Sequence, residues 1–168
     1  MRQQPTKKPV VDVRLATDAD LPLLAERNHP DAGSAQENLA LQQDSDYFFV
    51  LGFIDGEFAG SVVLDCREET ELRPEMKSLW VFPEFRRQGL GIALSRFLER
   101  AAARQGFDEI RLGVDPDNPA AIPLYISLDY TPTGHHRTAL YRRVSADGTE
   151  TEFTQTDAVY RKSLRLSR

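Results

Sequence analysis

The stretch "FPEFRRQGLGIALSRFLE", residues 82–99, decides how this chain is read. A proline, two arginines, a glutamine and two glycines precede a run in which Leu90, Leu94, Phe97, Leu98 and Ala101 recur at helical spacing. Gly106 ends that run as a helix C-cap. Upstream, "EMKSLWVF" reads as a strand closed by Pro83. A strand, a glycine corner and a helix start make a recurrent anion-binding layout. The first helical N–H groups lack partners and carry the positive end of the helix dipole. Glycines let the backbone approach a phosphate with no Cβ in the way. Arg86 and Arg87 add positive charge. Two standard nucleotide motifs are excluded. A P-loop needs Lys-Ser/Thr after its last glycine, where this chain has Ile92-Ala93. A dinucleotide fingerprint needs a small residue at position 94, which is Leu. A helix that merely begins after a glycine turn is the alternative these residues leave open.

Working outward, "VVDVRLAT" (10–17) alternates as a strand, and Thr17 or Asp18 caps a short helix with Pro22 in its first turn. "AQENLALQQ" is helical. Asp55-Gly56 between two apolar runs marks a hairpin. After the long helix, "DEIRLGVD" is a strand and "NPAAIPLYISLD" a short helix capped by Asn118. Beyond Tyr130 the chain is β-rich: "TALYRRV", a turn at "SADG", "TETEFTQ", then "AVYRKSLRL". The order β-α-α-β-β-β-α-β-α-β-β is that of a mixed α/β layer fold.

Bulk properties narrow the class. A chain of 168 residues fits one domain with a real core, here 10–168 behind a polar tail over 1–9. The net charge of −5 argues against nucleic acid and mildly for cationic acceptors such as amines. No apolar run approaches the ~20 residues of a membrane span. The lone Cys66 permits neither an internal disulfide nor a cysteine-cluster metal site, reads as a small buried residue, and fits a reducing cytoplasm. Asp44-Ser45-Asp46 reads as loop polarity, so no metal is expected.

The run from Glu75 to Tyr130 resembles the GNAT superfamily of acyl-CoA-dependent N-acetyltransferases. Arg86-Arg87-Gln88-Gly89-Leu90-Gly91 matches that family's Arg/Gln-x-x-Gly-x-Gly/Ala pyrophosphate loop, and Asn118, Ala121, Leu124 and Tyr125 match its Asn-x-x-Ala-x-x-Leu-Tyr element. The order of elements extends the likeness over about residues 10–166. Asp129 stands where the family usually has Gly; Asp tolerates the left-handed backbone of a helix end. The stretch from Gly134 to Asp157 is longer than a plain family hairpin.

The resemblance implies a mostly antiparallel central sheet flanked by helices and splayed between strands 4 and 5. It implies acetyl-CoA as co-substrate and direct acetyl transfer to a primary amine. A non-catalytic acyl-CoA sensor or interaction domain is the alternative, and a homodimer through the β-rich tail is allowed. Backbone groups at Leu79, Trp80 and Val81 would pair with the pantetheine arm, with the Trp80 ring in the core. Residues 86–91 would hold the pyrophosphate. Tyr125 would line the cofactor and protonate the leaving thiolate, unless it only packs on the sheet. Glu75 is the candidate base, against a solvated strand-end glutamate; Asp65 or Glu84 acting through water are further carboxylates. Asn118 would cap a helix, contact cofactor, or both. His135 and His136 would line the acceptor pocket or stand exposed. The acceptor site would draw on 17–43 and 134–157.

Overall fold

A computed structural model describes residues 7–27, 32–117 and 119–165. Most of the expected tail, and Asn118 with both its expected roles, lie outside the described residues. Seven strands form one sheet: β1 (Val11–Leu15), β2 (Tyr47–Ile54), β3 (Glu57–Asp65), β4 (Glu75–Val81), β5 (Glu109–Val114), β6 (Thr131–Val144) and β7 (Glu150–Ser163). Their spatial order is β1-β2-β3-β4-β5-β7-β6. Every pairing is antiparallel except β4 with β5. The mixed, mostly antiparallel sheet is therefore as expected. The two expected strands after the "SADG" turn are one strand, Glu150–Ser163, because Thr156 and Asp157 between them stay in register with β6.

Period-2 alternation in β2 and β3 divides the core between two faces. Val50, Ile54, Val62 and Leu64 pack with Leu90, Leu94 and Leu98 of α3 (Leu90–Arg104). Phe49, Leu51, Phe58 and Val63 pack on the other face with Leu24 of α1 (Leu21–Glu26) and Leu39 of α2 (Ala35–Gln42). Thr17 and Asp20 form a capping box ahead of α1. Each leucine of the α3 stripe, buried in full, stabilises by roughly 1.5–3 kcal/mol. α4 (Ile122–Ser127) follows β5, and Asp129 just beyond it takes φ 70°, the left-handed conformation foreseen for it. Among the described residues, no helix is long and apolar enough to cross a membrane.

Candidate active site

β4 and β5 touch at one register pair, Glu75 with Arg111, reinforced by the bond from Arg111 N–H to Pro74 O at 3.0 Å. Beyond it the parallel strands separate, with no further register pair between β4 and β5 among the described residues. On its other edge β4 pairs with β3, but Ser61 meets Trp80 while Val63 meets Lys77. One extra residue is thus accommodated on β4, with Ser78 at φ 57°. Such a bulge twists the strand and re-aims its backbone groups.

The open end of the gap is flanked by two helix starts. Gly89 caps α3 with φ 85°, and Arg87 has φ 65°. A side chain at 89 is strained by that backbone, although an added Cβ would meet no atom within 4 Å. The first bond closing α3 runs from Ala93 N–H to Gly89 O. The amides of Leu90, Gly91 and Ile92 precede it and point outward without helical acceptors. Leu90 presents only its backbone, since its side chain is core. Arg86 donates from Nε to Val81 O at 2.9 Å and lies over the Trp80 ring at 5.1 Å, so it braces the end of β4. Gln88 reaches back toward Glu84 O. Open space over Gly89 and a row of free amides suit a diphosphate.

α4 stands across the opening: a Cβ on Gly91 would lie 3.3 Å from Leu124. Tyr125 packs against the α3-side core, edge-to-face with Tyr130 at 6.0 Å. Burial pushes its hydroxyl up to about 12, so it keeps its proton at neutral pH. Cys66 is 1% exposed; burial, with Asp65 beside it, pushes its thiol up to about 12 as well. It is not a nucleophile in waiting.

On the face opposite α3 lies a cavity of about 480 Å³, bounded by α2, the floor of β2–β4 and the β6–β7 hairpin. It meets the gap at Ser78 and Gly113. Glu75 lines it, 5% exposed. Arg137 Nη1 donates to both Glu75 oxygens at 2.9 Å. Arg137 Nη2 donates to the Tyr141 hydroxyl at 2.7 Å; Tyr141 and Gln155 in turn donate to Asp157. Burial pushes the Glu75 carboxyl up, and the Arg137 guanidinium pulls against it without cancelling it. Arg137 and Asp157 lie over Gly113, where a Cβ would stand 2.9 Å from Asp157 and 3.1 Å from Arg137. Only glycine leaves that room.

The other carboxylates are committed. Burial works against ionisation of Asp65, yet donors from Arg67 and Lys77 outweigh it and hold the carboxyl well below its ordinary range. Glu84 is exposed beside Arg27 and held low by its own backbone amide and that partner. His135 and His136 are exposed and do not line the cavity. Arg137, Tyr141 and Asp157 were not among the residues singled out in the sequence. Their signal was a charge in the inward row of a strand: Asp157 shares period-2 phase with Val159, and Arg137 with Ala139.

The sequence model of the Acetyltransferase (GNAT) family matches residues 14–130. The chain belongs to that family. Mycothiol acetyltransferase of Thermobispora bispora is 34% identical over 113 residues, 62% of this GNAT chain and 38% of that protein. Acetyltransferase ECA0875 of Pectobacterium atrosepticum is 36% identical over 90 residues, 54% of this chain and 61% of that protein. The chain thus spans less than two thirds of the length of either relative. The structure of YncA from Salmonella typhimurium, solved with its cofactor acetyl-CoA, superposes with a TM-score of 0.67 at 22% identity, covering 92% of this chain and 94% of that one. That likeness is one of fold, and the splayed GNAT sheet accounts for it.

Proposed function

We propose that this chain transfers an acetyl group from acetyl-CoA to a primary amine by direct attack in a ternary complex. One observation carries the proposal: the β4–β5 gap opens on one side to the bare amides at the start of α3 and on the other to the cavity beneath Arg137. Diphosphate and acceptor would therefore approach a thioester in the gap from opposite faces of the sheet. The stretch of β4 at Leu79, Trp80 and Val81 would bind the pantetheine arm as an added strand binds.

The amine lone pair forms the C–N bond, and charge builds on the carbonyl oxygen near the β4 amides. The C–S bond then breaks. Tyr125 donates its proton to the departing thiolate and recovers one from solvent. An amine with pKa near ~10 arrives protonated at neutral pH, so a base is useful. Glu75 is that base in our proposal, through water, since Arg137 already occupies both its oxygens. Glu75→Gln then lowers the rate most near neutrality, and the loss shrinks as pH rises toward the amine's own pKa.

Thiol release from acetyl-CoA across a panel of amines, with mass spectrometry of the product, tests the transfer. Acetylated amine forming in step with thiol is expected. Tight acetyl-CoA binding without transfer to any amine would leave an acyl-CoA-binding domain instead.

A further inference from the structure

We infer that the acceptor is a small amino-acid-like zwitterion, whose carboxylate docks on Arg137, Arg67 and Lys77 while its amine faces the gap. This deepens the acetyl transfer proposed above and rests on it for the direction in which the amine points.

The lining is asymmetric in how its charges are presented. Where Asp65 pairs with Arg67 and Lys77, the carboxylate is 1% exposed and the cations are 26% and 33% exposed. One buried anion is thus shared by two cations that reach the cavity; Glu69, 3.5 Å from Arg67 and 69% exposed, lies outside the lining, so the corner presents its cations inward. Arg137, 8% exposed, spends its two terminal nitrogens on Glu75, Tyr141 and Asp157. Its Nε is buried and has no hydrogen-bond partner among the described residues. A buried guanidinium N–H without an acceptor is costly, and a ligand oxygen would satisfy it. The anions that might instead attract a second ammonium are already engaged: Glu75 and Asp157 by Arg137, Glu37 at the rim by Arg142. A polyamine would set its second charge against Arg67 and Lys77. The chain's overall acidity pointed toward cationic acceptors; the cavity points the other way.

Size and wall agree. A cavity of about 480 Å³ is at the small end of ligand sites. Leu41, Phe49 and Val63 supply an apolar wall for a side chain. Ser78 and Gly113 border the gap, Lys77 adjoins Ser78 on the same strand and Arg137 lies over Gly113, so only the short skeleton of an amino acid is needed between amine and carboxylate.

Calorimetric titration of the CoA-loaded protein with the twenty amino acids, their amides and their decarboxylated amines tests this. For at least one amino acid, binding roughly 10- to 100-fold tighter than its amide is expected, the range of a charge-assisted hydrogen bond. Lys77→Gln should narrow that preference and Lys77→Arg should keep it. The inference is overturned if amides, bare amines or spermidine bind as tightly as every amino acid, or if no amino acid binds. Thiol release on the same panel separates the two proposals. A carboxylate preference in binding with no transfer to any amine removes the acetyl transfer and leaves the carboxylate site. Transfer confined to amides and bare amines does the reverse.

Discussion

The two sides of the β4–β5 gap are built from different materials. The α3 side is backbone: bare amides and positive φ at Arg87 and Gly89. The cavity side is side chain: Glu75 from β4, Arg137 and Tyr141 from β6 and Asp157 from β7, with Arg137 and Asp157 over Gly113 of β5. Backbone recognition needs a few adjacent residues of special conformation and tolerates change elsewhere. A side-chain network needs charges that are distant in sequence, and it fails when any one is withdrawn. The first kind of site suits a co-substrate of fixed chemistry, the second an acceptor to be discriminated.

The largest expected effect falls on the network. Arg137→Ala leaves Glu75 and Asp157 buried without their cation, at a cost of about 3–5 kcal/mol. Urea denaturation measures it. A cost under about 1 kcal/mol, the value of an exposed pair, would mean that water already serves those carboxylates and that the cavity side is not a closed network.

Next is Tyr125→Phe, which keeps the ring and removes the proton. Turnover should fall roughly 10- to 100-fold, about 1.4–2.7 kcal/mol, with acetyl-CoA affinity unchanged. With the hydroxyl pushed up to about 12, the alkaline decline of kcat should lie beyond the ~10 of an ordinary tyrosine. The sign for folding is the same: the folded state holds this proton more tightly, so stability falls as pH rises from about 10 through 12. A kcat profile that declines near pH 10 would place the acid elsewhere. Equal losses in affinity and turnover would make Tyr125 a binding residue.

The smallest is Gly89→Val. At φ 85° a branched side chain costs roughly 1–2 kcal/mol of backbone strain, and it would project into the space over the amides. CoA affinity should weaken by at least ~10-fold, or 1.4 kcal/mol, in a folded protein. Unchanged affinity by calorimetry would remove the backbone side from the site. Gly91→Val acts differently, by pressing Leu124 and shifting α4.

The same division explains what was legible beforehand. Arg86 to Gly91 is contiguous, and its spacing before Leu90 and Leu94 identifies a helix start without knowledge of the rest. Tyr125 follows from the element around it, and Asp129 from the left-handed turn it permits. Glu75 was singled out because some members of the resembled family carry Glu at the start of this strand, but its partner Arg137 was not. Arg137 is 62 residues away, on a strand three places from β4 in the sheet, and the two meet only through the tertiary arrangement. No local period encodes that meeting. Arg86 carries a bond that its place in the motif did not suggest: its Nε donates to Val81 O.

The long β6 has another consequence. It ends the sheet and exposes one side of a 14-residue strand, a template on which other chains could stack. Pro132 withholds a donor there, and the register breaks between Pro132 and His136 where Gly134 turns to φ 82°. Arg143 places a charge in the outer half, next to Arg142, which is paired with Glu37 and Glu150. An edge interrupted at one end and charged at the other resists fibrous self-assembly. Replacing Pro132 and neutralising Arg143 together would lower the concentration at which the protein stays in solution.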